Sequence, residues 1–169
     1  MKRYLFLIAL IISALNLAAQ SSDEDKVKSH FAWGASTGAS VDMSGHDMSA
    51  IDIDLVAGYR GGWVKFAGVG VGAEMMISNG SRAFPLYGEL RTNFMRRPSL
   101  LFWDLKVGVS LNYLEDYDQK PGEYISTGVG FKLARGERYS AHMLLAYTFH
   151  RAAPYDLHAV GLTIGVVFH

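Results

Sequence analysis

The chain has 169 residues, no cysteine, and 16 Lys+Arg against 16 Asp+Glu; half of it is hydrophobic and only 19% is charged. That length suits one domain, and the balanced charge offers no basic excess for a nucleic-acid partner. Without cysteine there is no disulfide, thiolate metal site, cysteine nucleophile or lipidated N-terminal cysteine.

The chain opens on Lys2 and Arg3, followed by an apolar run from Leu5 to Leu17 and then Ala18, Ala19 and Gln20. This is the pattern of a cleaved secretory signal peptide over residues 1–19. A membrane anchor is the weaker reading, because the run is shorter than the ~20 residues a spanning helix needs. Residues 20–29, polar and charged from Ser21 to Lys28, read as a flexible leader. The rest, 30–169, reads as one structural unit.

From His30 onward the hydrophobic period is two, and no later stretch keeps a helical period. Glycine, Pro-Ser and Asn-Gly clusters divide the chain into eight segments. Strands are expected near 30–44, 49–60, 64–78, 82–95, 99–115, 122–135, 138–152 and 157–169. Each exceeds the ~9–11 residues that a tilted strand needs to cross a bilayer.

One face of these strands is apolar. It carries Ile51, Ile53 and Leu55 in the second, Val69, Val71 and Met75 in the third, and Leu105, Val107 and Val109 in the fifth. The opposite face carries Asp52, Asp54, Gly68, Gly70, Gly72, Glu74, Glu89, Arg91, Asp104, Lys106, Ser110, Asn112, Gly128, Gly130 and Lys132. A soluble barrel would dress its exterior in many lysines and glutamates. Glycine, serine and isolated charges suit a narrow interior instead, which leaves the apolar face for lipid. Backbone groups in lipid must be paired, and strands achieve this only in a closed sheet. The expected fold class is therefore all-β: an eight-stranded antiparallel up-and-down transmembrane β-barrel, preceded by a cleaved signal peptide.

Aromatic placement agrees. With the chain starting in the periplasm, Phe31, Trp33, Tyr59, Phe94, Trp103, Phe131, Tyr139 and Phe168 fall near the lower rim. Phe84, Tyr113, Tyr147 and Phe149 fall near the upper one. Two aromatic girdles around an aliphatic band are expected of an outer-membrane barrel.

Lower connections are predicted tight: Gly61-Gly62-Trp63, Arg96-Arg97-Pro98-Ser99 and Gly136-Glu137-Arg138. Upper ones are predicted longer, at Ser44 to Met48, Asp116 to Pro121 and Arg151 to Asp156, with Asn79-Gly80 the short exception and a strong hairpin signal. A four-residue turn at Arg96 to Ser99 sets Arg91 opposite Asp104 and Glu89 opposite Lys106. Across the next loop Asp104 is expected to neighbour Lys132, and a three-residue turn at Gly136 sets Lys132 opposite His142. Ions in a narrow lumen need partners, since an unpartnered one costs several kcal/mol. The expectation is an interior ion ladder of Glu89, Arg91, Asp104, Lys106 and Lys132, structural in role. Above it Asp42, Asp52, Asp54 and Glu74 make an acidic mouth. No calcium-loop spacing supports a metal site there, and no cofactor is expected.

With these features the chain resembles the outer-membrane β-barrel domain proteins often labelled "porin family". The carrying residues are the export signal, Pro85 to Arg91, Phe102 to Gly108, and Tyr124 to Phe131. These are strand-packing patterns, so the resemblance implies a fold and a location. It also implies insertion by the barrel-assembly machinery, which selects a terminal strand ending in an aromatic; here Phe168 is penultimate and His169 is last.

The expected function is that of a non-enzymatic envelope protein, a barrel that presents loops or stabilises the membrane; it is expected to be closed rather than an open channel, because eight strands enclose only enough room for side chains. The partners expected are outer-membrane lipids and the assembly machinery, with no external partner identified. The competing readings are a lipid-modifying enzyme using Ser140 with His142, His150, or Asp156 with His158, and a soluble lipocalin-like barrel with the apolar face inward. A further one is loop-mediated adhesion through Asp116, Tyr117, Asp118 and Tyr155.

Overall fold

A computed structural model describes residues 30–61, 64–78, 80–94, 100–113, 120–152 and 155–169. The predicted signal peptide and leader lie outside them, as do Gly62, Trp63, Asn79, Arg96 to Ser99 and Asp116 to Asp118, together with the Tyr155 side chain.

Eight strands follow one another: β1 (His30–Asp42), β2 (Ala50–Arg60), β3 (Val64–Met76), β4 (Arg82–Asn93), β5 (Leu101–Tyr113), β6 (Lys120–Arg135), β7 (Tyr139–Ala152) and β8 (Tyr155–Phe168). Each pairs antiparallel with its sequence neighbour, and β1 pairs with β8, so the sheet closes. Closure removes both edges and gives each strand two hydrogen-bonding neighbours.

The period-two pattern falls on the two sides of the wall as expected. Ile51, Ile53, Leu55, Val69, Val71, Leu111, Leu145, Leu162 and Ile164 are exposed on the outside. Asp54, Glu89, Arg91, Asp104, Lys106, Ser110 and Asn112 are buried inside. The lower girdle includes Phe31 edge-on to Tyr59 and Trp33 stacked on Phe168 at 4.7 Å. Phe84 edge-on to Tyr113 belongs to the upper one. On the outer face Trp103 donates its indole N–H to Thr127 Oγ1 at 2.9 Å, which satisfies a donor that lipid could not.

The register of β4 and β5 is the one the turn arithmetic gives: Glu89 opposite Lys106 and Arg91 opposite Asp104. Lys132 stands opposite His142, also as expected. The route to it differs. Arg135 faces Ser140, so four residues close that hairpin, with Gly136 N–H donating to Tyr139 O at 2.8 Å. A bulge between Lys132 and Ala134 absorbs the extra residue.

One upper loop is shorter than predicted, and β6 begins two residues before the predicted 122. Arg151 pairs with Asp156 and Ala152 with Tyr155, so β7 and β8 continue through what was read as a loop. Pro121 pairs with Leu111 inside β6. A more central proline, Pro85, stands opposite Ser110 on β5, while its other neighbour β3 has no registered pairs between Val71–Leu86 and Glu74–Ala83. A residue without an N–H cannot complete both ladders.

Inside, small residues make room for large ones. Gly70 is paired with Tyr87, Gly130 with Phe102 and Gly165 with His142. A Cβ on Gly130 would overlap the Phe102 ring, and one on Gly165 would lie 2.8 Å from His142 Cε1. Glycine is needed here for space, not for an unusual φ. Gly130→Ala is therefore expected to destabilise the barrel by ~1–3 kcal/mol through overpacking, read as a lower urea midpoint in lipid vesicles. In a Phe102→Leu background that penalty should shrink by about half or more.

Candidate functional site

The lumen is closed at mid-height by a septum of ions and rings, built from the five strands β2 to β6. Arg91 donates Nε to Glu89 Oε1 and to Asp104 Oδ2, the latter at 3.0 Å. Its guanidinium carbon lies 5.5 Å from the Phe66 ring centroid and 5.9 Å from that of Phe102. One cation thus serves two carboxylates, on its own strand and the next, while aromatic faces cover its other sides.

A second knot crosses the lumen. Lys106 on β5 donates Nζ to Asp54 Oδ2 on β2 at 2.8 Å, and Tyr87 on β4 donates its hydroxyl to Asp54 Oδ1 at 2.8 Å. The Lys106 ammonium lies 4.7 Å from the Tyr87 ring centroid. Tyr87 stacks on Tyr124 at 5.5 Å, Tyr124 meets His150 edge-on at 4.7 Å, and His150 Nε2 lies 3.3 Å from Glu74 Oε2. Gly108 on β5, paired with Tyr87 on one side and Tyr124 on the other, lets the two rings approach over it.

Above the septum is a cavity of about 50 Å³ lined by Asp42, Asp52, Asp54, Glu74, His150 and Lys106 among others. Below it is a cavity of about 30 Å³ lined by Arg60, Lys65, Arg91, Lys132, Ser140 and His142 with Phe66, Phe102 and Val167. The two share no lining residue.

Four of the five predicted ladder residues, Glu89, Arg91, Asp104 and Lys106, are in the septum. Two expectations fail. Lys106 stands opposite Glu89 in register, but its ion partner is Asp54; a long side chain reaches across a narrow barrel as readily as along its wall. Lys132 does not neighbour Asp104, whose β6 partner is Gly128, and it lines the lower cavity instead. The predicted acidic mouth is present at the upper cavity, with Asp54 drawn down into the septum. Sequence reasoning missed Phe66, Tyr87, Phe102 and Tyr124, although their parity with Gly68, Glu89, Asp104 and Ser126 was the available signal.

The enzyme candidates are dispersed. Ser140 and His142 share the lower cavity, His150 lies against Glu74, and Asp156 is 3.5 Å from Arg151 Nε. His158 Nδ1 hydrogen-bonds the Tyr147 hydroxyl at the outer face. At the upper end Asp42 organises the first loop, accepting hydrogen bonds from Ser44 N–H and His46 N–H at 2.7 Å each and from Met48 N–H at 3.2 Å.

No family model matches the sequence, and no curated protein matches it either. Solved structures do. Neisserial surface protein A superposes with a TM-score of 0.60 at 15% identity, over 83% of this chain and 97% of that one. The N-terminal β-barrel domain of Pseudomonas aeruginosa OprF gives 0.55 at 11% identity, over 81% and 97%. The Yersinia pestis outer membrane protein Ail gives 0.50 at 9% identity, over 82% and 100%. The fold is that of the small outer-membrane β-barrels. At these identities the likeness concerns the fold of the outer-membrane barrel alone, and the septum stands on this chain's own residues.

Two measurements test the site. Arg91→Met leaves Glu89 and Asp104 without their shared cation, and is expected to cost about 3–5 kcal/mol, read by urea unfolding in vesicles. Neutralising both acids in the same chain (Glu89→Gln, Asp104→Asn) should recover most of it. Asp42→Ala removes the acceptor for three loop amides, so limited proteolysis should cut within residues 43–48 while heat-modifiable gel migration of the barrel persists.

Proposed function

We propose that this chain is a closed, non-enzymatic outer-membrane protein that stabilises the envelope or presents its upper loops. The observation that carries this is the septum: Arg91, Lys106, Tyr87 and Tyr124 fill the lumen between two cavities with no common wall. An eight-stranded barrel has only enough interior for side chains, and here they are tied to one another by charge-assisted hydrogen bonds.

The outer-membrane location is supported by the lipid-ready exterior, the two aromatic rims, the export signal read in the sequence and the shared fold. In this reading both ends of the described chain, at His30 and His169, and the lower turns of the barrel face the periplasm. Outer-membrane lipids are the surrounding partner and the barrel-assembly machinery the inserting one. Ion pairs around Glu89, Arg91, Asp104 and Lys106 serve to fill and lock the lumen.

Purified full-length protein in a planar bilayer should give no large, steady conductance; a persistent non-selective current would overturn the closed-barrel reading. Tyr87→Ala with Tyr124→Ala should produce brief openings while heat-modifiable migration is retained. Expressed protein should sediment with the dense outer-membrane fraction, and release by osmotic shock without detergent would defeat the assignment.

A further inference from the structure

The lumen is electrically polarised along its axis. The upper cavity gathers Asp42, Asp52, Asp54 and Glu74 around Lys106. The lower cavity is lined by four cations, Arg60, Lys65, Arg91 and Lys132, with no carboxylate among its lining residues.

Irregularities in the strands build this lower charge. Phe66 and Gly68 face inward, so strict alternation would turn Lys65 out toward lipid. The bulge between Val64 and Phe66 breaks that alternation, and Lys65 lines the cavity beside Phe66. With Lys132 inward, strict alternation would likewise turn Arg135 outward. The bulge between Lys132 and Ala134 sets Arg135 opposite Ser140, which lines the cavity. Residues directly opposite in an antiparallel pair share a face. Bulges re-aim side chains, and they recur at barrel rims and beside functional sites. Rim lysines and arginines pointing outward would snorkel to the headgroups at little cost. Here two are brought in beside like charges, which repel.

We propose that the lower mouth is a binding site for a phosphate-type oxyanion: inorganic phosphate or the phosphate of a monoester or lipid headgroup. Arg60, Lys65, Lys132 and Arg135 come from three strands, so donors approach one point from several sides. A phosphate monoester answers with three acceptor oxygens and a charge near −2, whereas a carboxylate brings one charge and two coplanar oxygens. Ser140 adds a hydroxyl. Arg91, already committed to Glu89 and Asp104, closes the inner end and contributes field rather than a ligand.

The test uses the isotopically labelled full chain folded in uncharged sugar-detergent micelles. Inorganic phosphate is titrated against sodium chloride at constant ionic strength, and amide shifts are followed by NMR. Saturable shifts are expected at Lys65, Phe66, Lys132 and Arg135. Lys65→Gln with Lys132→Gln should raise the midpoint by about tenfold or more, and Arg151→Gln, at the opposite mouth, should leave it unchanged. Heat-modifiable migration verifies that each variant is folded. Equal shifts with chloride, a non-saturating response, or a midpoint indifferent to the double variant would overturn the site. Adding short-chain phosphatidic acid, whose headgroup is itself a phosphate monoester, separates the sources: loss of the phosphate response assigns the site to a headgroup, and its persistence assigns it to soluble phosphate.

Discussion

Every backbone N–H and C=O in the bilayer must find a partner inside the protein, and for strands this means a ring with no free edge. The rest of the molecule follows from that closure. Eight strands make the smallest common ring of this kind, and its lumen is too narrow for bulk water. Charges placed in it must therefore find one another. Arg91 is shared by Glu89 and Asp104, and Lys106 crosses from β5 to Asp54 on β2. The second of these contacts ties opposite walls together, something no pair of adjacent strands can do.

Closure also sets the steric problem that glycine solves. Several inward rings are given a glycine directly across on a neighbouring strand: Gly70 for Tyr87, Gly130 for Phe102, Gly165 for His142. Phe66 opposite Arg91 and Tyr124 opposite His150 pack against a side chain instead. Glycine costs strand stability through backbone entropy and lost packing. Here the ring of a neighbour supplies the missing packing, so the glycine-rich inner face and the aromatic septum are two halves of one design.

Charge is sorted along the same axis. Carboxylates crowd the upper cavity and cations the lower one, with the septum holding both signs in contact. A barrel that only had to fill its centre would have no need of the two bulges that turn Lys65 and Arg135 away from lipid. In the proposed reading, filling and locking account for the middle of the lumen, and oxyanion binding accounts for its lower mouth.

The sequence by itself determined the wall. Period-two alternation, turn residues and the placement of aromatics specified eight strands, their order, their sidedness and the register of β4 on β5, because each of these is local or depends on adjacent strands. Glu89 opposite Lys106 and Arg91 opposite Asp104 follow from counting through one turn. The tertiary structure alone decided what crosses the lumen. That Lys106 reaches Asp54, that Tyr87 and Tyr124 stack over Gly108, and that Lys132 sits below the septum depend on strand tilt and closure, which no single hairpin records. Bulges had the same effect at the lower rim: one extra residue in β3 and one in β6 reverse the parity on which a pattern-based reading rests, and so move cations to a face the alternation does not predict.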